Sequence, residues 1–133
     1  MKRISMLWVA LLLFGCEVMV VEPIADPRDE VVGWYEVEEY SETYNVYTDY
    51  AIRITKAGNG SDVYLHNFYG IELRVIGEVR NNKIFIPWQL VEGYEVEGIG
   101  TIQGTGIRFH FNVTDRYSDG PTDFCEAEAW LDW

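Results

Sequence analysis

From residue 31 onward the chain alternates apolar and polar side chains with a period of two. That rhythm limits what it can fold into, because only a strand with one buried face repeats every second residue. The clearest stretch is residues 106–114, where Ile107, Phe109, Phe111 and Val113 alternate with Arg108, His110 and Asn112. Comparable stretches lie at about 32–40, 44–56, 62–67, 71–80, 83–90, 94–103 and 123–131, which makes eight in all. Between them stand Gly, Asn and Asp, residues that tolerate the positive φ of tight turns. Ala57-Gly58-Asn59-Gly60 and Asn81-Asn82 are such turns, the second with the length of a tight hairpin. No stretch after residue 30 carries the periodicity of a long amphipathic helix.

Eight short strands with short connections predict an all-β, eight-stranded antiparallel meander, since a parallel crossover needs a dozen or more residues. Eight strands suffice to close a barrel, which removes exposed edges; a flattened sandwich is the alternative. The inward set expected is Ile52, Ile54, Leu65, Leu73, Val75, Ile84, Ile86, Trp88, Ile107, Phe109 and Phe111, and Ile71 aligns with Leu73 and Val75. Ala127 and Ala129 are small inward residues that either leave a pocket or make room for opposing rings. Pro87 cannot donate a ladder bond, so the fifth strand is expected to be short, at an edge or interrupted there. Gly98 and Gly100, two apart on one face, predict sharp coiling or close approach by a neighbour.

The N-terminus follows a different logic. Lys2 and Arg3 precede an apolar run over residues 4–14, the order of a secretory signal and too short to cross a bilayer as a helix. Leu13-Phe14-Gly15-Cys16 resembles a lipobox, with Phe14 bulkier than the residue usual at its position. The resemblance implies cleavage before Cys16, a diacylglyceryl group on its sulfur and an acyl chain on its new amino group, which together anchor stably. An ordinary secretory signal followed by a chance cysteine is the alternative. The expected organisation is a signal peptide over 1–15, a lipid-anchored tether over 16–30 and a barrel domain over 31–133. Loss of the leader takes the formal charge from -12 to -14. Such acidity repels phosphate backbones and anionic headgroups, so no nucleic-acid partner is expected, and the lipid rather than the domain would hold the membrane. With Cys16 lipidated, Cys125 has no disulfide partner and reads as a small buried hydrophobe.

The run Ile84-Phe85-Ile86-Pro87-Trp88-Gln89, with Val96-Glu97-Gly98-Ile99-Gly100-Thr101 and residues 107–115, resembles the small lipocalin-like, or calycin-like, lipoproteins of Bacteroidetes. The likeness covers most of residues 31–133. It implies a compact eight-stranded barrel in the bacterial cell envelope, expected at the outer membrane, with no general catalytic site. Classical lipocalins begin with Gly-x-Trp, whereas this chain has Gly33-Trp34-Tyr35.

Motifs for chemistry are sparse. His66 and His110 lie far apart in sequence without a cysteine pair, so no metal or cofactor site is expected. No nucleophile elbow is present, and Glu36/Glu38, Glu95/Glu97 and Glu126/Glu128 read as solvent-facing strand residues rather than paired catalytic carboxylates. Gly98-Ile99-Gly100 and Gly104-Thr105-Gly106 lack the following helix of a nucleotide loop. What is enriched is aromatic. Trp34, Tyr47, Tyr64, Trp88 and Trp130 are the candidate binding residues, because exposed rings stack on sugars or anchor protein partners, while the same rings also serve as core or barrel-end packing. Three of them around one opening would mark a site. The expected function is a non-enzymatic, envelope-anchored module binding a glycan or protein at its rim or outer face. The alternatives are a carrier of a small apolar ligand and a structural lipoprotein with a solid core.

Overall fold

The computed structural model describes residues 26–132; the leader, Cys16 and Trp133 lie outside the described residues. Eight strands follow in chain order: β1 (Gly33–Ser41), β2 (Val46–Lys56), β3 (Asp62–Phe68), β4 (Leu73–Arg80), β5 (Lys83–Val91), β6 (Tyr94–Gln103), β7 (Gly106–Asp115) and β8 (Asp123–Leu131). Each pairs antiparallel with the next, and β1 pairs with β8, so the sheet is a closed meander barrel. The flattened sandwich is therefore set aside. Closure pairs Tyr35 with Leu131 and Ser41 with Cys125, so every strand has a neighbour on both sides.

The interior is filled by side chains. Phe109 faces Gly100 on β6 and Ala127 on β8, while Phe111 faces Gly98 and Cys125. Bulky rings of one strand thus lie between small residues of both neighbours. A Cβ at Gly98 would stand 2.4 Å from the Phe111 Cβ and 2.6 Å from the His110 carbonyl, and one at Gly100 would stand 2.7 Å from the Phe109 ring. Close approach, rather than coiling alone, is what these two glycines permit. Phe111 also crosses the interior to Phe68, ring centroids 4.7 Å apart. Ala127 and Ala129 sit opposite Phe109 and Ile107, so on the inner face they make room for large side chains.

Two expected inward residues point elsewhere. Between Ile86 and Gln89 the β5 to β6 register shifts: two residues of β5, Pro87 and Trp88, stand against one of β6. This bulge, at the proline that cannot donate to the ladder, turns Trp88 outward to 56% exposure. Ile71 is not in β4 and is exposed. The chain from Tyr69 to Glu72 is a turn with positive φ at Tyr69, Gly70 and Glu72, as already at Asn67 near the end of β3, so period-two alternation cannot extend back through it. The expected start of the second strand at Tyr44 likewise falls in the β1 to β2 turn, where Asn45 has φ 57°.

The chain enters at the end of the barrel where β1 begins. Pro27–Glu30 forms a short 3-10 turn capped by the Asp26 carboxylate, which accepts from the Arg28 backbone N–H. Arg28 is buried, and its Nη1 donates to the carbonyls of Ala57, Gly58 and Asp62 at 3.3, 3.1 and 3.1 Å. Val31 packs beneath it, its carbonyl accepting from the Tyr35 hydroxyl. The described part of the expected tether is therefore docked over one end of the barrel. Hydrogen bonds from Arg28 hold the Asp26 carboxyl well below the usual carboxylate range, and Lys56 adds ion pairs to Asp26 and Asp29.

Candidate functional site

The expected binding aromatics lie on the outer surface but do not share one opening. Trp34, Tyr47, Trp88 and Trp130 are 53%, 72%, 56% and 47% exposed, and Tyr64 is half-buried. Trp34 and Trp130 lie on neighbouring strands, since Trp130 is the β8 partner of Glu36, two residues beyond Trp34 on the same face. Tyr64 lies two strands away on β3. Tyr47 is near the opposite end of β2, its ring 4.9 Å from that of its partner Tyr40. Trp88 stands alone on β5, its indole N–H donating to Glu95 at 3.3 Å.

Around Trp34 the outer wall has an ordered composition. Trp34 pairs across strands with Arg53, Arg53 with His66, and His66 with Arg74, so the four outward side chains form one row over β1 to β4. The Arg53 guanidinium lies 5.5 Å from the Trp34 ring centroid, and that of Arg74 lies 4.5 Å from the Tyr64 centroid. His66 meets Tyr64 edge-on and its Nε2 is 2.7 Å from the Thr55 hydroxyl. Burial and the two flanking arginines push the His66 pKa down. His110 is on β7, away from His66, and the two share no ligand geometry.

A second cluster lies inside the barrel at the end opposite Arg28. Glu39 and Ser41 on β1 and Asp123 and Cys125 on β8 are all buried. Tyr50 donates to Glu39 at 2.5 Å, Ser41 donates to Asp123 at 2.5 Å, and Tyr69 donates to the other Asp123 oxygen. The Cys125 thiol points at Glu39 across 3.8 Å. Burial pushes Glu39 up to about 7, with the Tyr50 hydrogen bond opposing and Asp123 reinforcing the shift. Burial likewise pushes Cys125 and Tyr50 well up, with the Glu39 charge adding to both. Cys125 is thus buried, as its alternating context implied. Above the cluster, Tyr44, Tyr69, Tyr94 and Asp123 border an open cleft of about 240 Å³. Glu39, Asp123 and Cys125 have donor atoms within 4.8 Å of one another, close enough for a metal ion. Their hydrogen bonds to Tyr50, Tyr69 and Ser41 already account for the placement of both carboxyl groups.

The acidic pairs stand apart from this cluster. Glu36, Glu38 and Glu126 are exposed, Glu128 pairs with Arg108 at 2.6 Å, and Glu95 pairs with Arg116 at 3.3 Å.

The fold defines a closed eight-stranded antiparallel meander barrel, an architecture compatible with lipocalin-like proteins. No family model matches the chain, and no curated protein matches it.

Proposed function

We propose that this chain is a non-enzymatic lipoprotein of the bacterial cell envelope, anchored through Cys16 at the outer membrane, whose barrel binds a glycan or protein partner through its outer wall. The observation that carries the reading is the contrast between inside and outside. Rings and small residues interlock through the interior, while Trp34 and Trp130 stand about half exposed on neighbouring strands of the wall. The cleft at the loop end, at about 240 Å³, falls below the roughly 300–1,000 Å³ of sites that enclose small molecules. A carrier of apolar ligands is therefore the weaker reading.

Two measurements test it. In a bacterium fed labelled palmitate the wild-type protein takes up label and Cys16→Ser does not; an unlabelled wild-type product cut elsewhere sinks the anchoring. Titration of the full-length chain with oleate, retinol or cholate leaves tryptophan emission without a saturable one-to-one change. Saturable binding that persists in the Trp34→Ala, Trp130→Ala double variant would place a ligand inside the barrel and defeat the outer-wall reading.

A further inference from the structure

Eight cations lie among the described residues, and Arg28, Lys56, Arg80, Arg108 and Arg116 are all in salt bridges there. Arg53, Arg74 and Lys83 are not, although the chain holds 22 acidic residues. Arg53 and Arg74 flank His66 from the strands on either side of it, an arrangement in which like charges repel across the sheet. Each guanidinium lies over an aromatic ring, which restricts its rotamers before any ligand arrives.

The row has a direction. Trp34 is the second residue of β1 and Arg74 the second residue of β4, and antiparallel alternation puts those two strand starts at opposite ends of the barrel. The row therefore climbs the wall diagonally while crossing three strand intervals, about 14 Å. Three of the eight intervals round a closed barrel form a convex path. A flat bilayer cannot follow it, but a flexible linear chain can.

We propose that the stripe Trp34–Arg53–His66–Arg74, with Tyr64 beside it, binds a linear acidic polysaccharide carrying carboxylate or sulfate groups on its sugar rings. Guanidinium groups match these anions through paired N–H donors. The faces of Trp34 and Tyr64 offer flat apolar surface for the C–H face of a sugar ring. The inference rests on the outer-wall reading above and adds the ligand's charge.

The test is calorimetric titration of the full-length chain, held in a neutral polyoxyethylene detergent, with polygalacturonate oligomers, sulfated heparin oligomers and neutral dextran. One or both acidic oligomers bind saturably and more weakly as salt is added, and dextran does not bind. Arg53→Gln and Arg74→Gln each weaken binding about tenfold or more, the scale of a lost charge-assisted hydrogen bond, with circular dichroism unchanged. Arg80→Gln, elsewhere on β4, leaves the affinity as it was. Absence of acidic-oligomer binding, or equal binding by the Arg53→Gln, Arg74→Gln double variant, overturns the proposal. Dextran binding lost with Trp34→Ala but indifferent to both arginines would overturn it too, while leaving the outer-wall reading intact. Binding to phosphatidylglycerol vesicles and to neither acidic oligomer would make the stripe a membrane contact and likewise overturn it.

Discussion

Phe109→Ala is expected to lower the unfolding free energy by about 3–5 kcal/mol, the scale for removing a fully buried phenylalanine. The ring is 2% exposed and lies between Gly100 and Ala127, with Ile107 and Phe111 on the same face of β7. Neither neighbour opposite has a side chain able to move into the space vacated. Backbone collapse is resisted as well, because β6 and β8 are each paired on both sides in the closed sheet. The cavity should therefore persist, and its cost adds to the lost burial. Urea unfolding of Phe109→Ala beside Phe124→Ala checks the claim. Phe124 is 52% exposed on the outer face, so its loss should shift stability by only a few tenths of a kcal/mol. Similar shifts for the two variants would mean the β7 register is not the one described.

Glu39→Gln should change how stability depends on pH. Glu39 is 4% exposed, and its pKa stands at about 7 against the ordinary 4.5. Below the ordinary value both folded and unfolded chains hold the proton, so the residue adds no pH dependence there. Between the two values the folded chain keeps the proton and the unfolded chain loses it, so stability falls as pH rises. Above about 7 the full penalty applies, about 3 kcal/mol from a shift of this size. Glutamine keeps an acceptor for the Tyr50 hydroxyl and cannot ionise. At pH 8 the variant should be the more stable by up to that amount, and near pH 4 the advantage should vanish. Cys125, Tyr50 and Tyr69 face the same cluster and are also pushed up by burial, so they add losses only at more alkaline pH. Denaturant midpoints at pH 4, 6 and 8 decide it; parallel profiles for both proteins would show that Glu39 ionises without cost.

Strand alternation made most of the barrel readable in advance. Segments such as 94–103 and 123–131 coincide with β6 and β8, because turn residues bound them and the alternation runs the length of each. Misplaced residues gather where backbone geometry breaks the alternation. Pro87 announced an interruption, but its sequence does not say which way a bulge turns Trp88. Nor does a sequence reveal that Tyr69 and Glu72 adopt positive φ, a conformation costly for side-chain-bearing residues and held by surrounding contacts. The buried acids had a signal that was passed over. Counting by twos from Tyr35 and Val37 reaches Glu39, and counting back from Cys125 reaches Asp123, so both carboxyls fall on apolar faces. The row from Trp34 to Arg74 carried no such signal, since it depends on three successive registers that turn lengths alone do not fix.

The pairing of β1 with β8 also governs when the molecule can finish folding. Tyr35 cannot meet Leu131 until residue 131 has left the ribosome, so every earlier intermediate has unpaired backbone on the side of β1 that faces β8. Such late, long-range closure makes folding slow relative to helical proteins of similar size. A version circularly permuted to open between β4 and β5 would still close only with its last strand, but its long-range pair would then be β4 with β5 in place of β1 with β8.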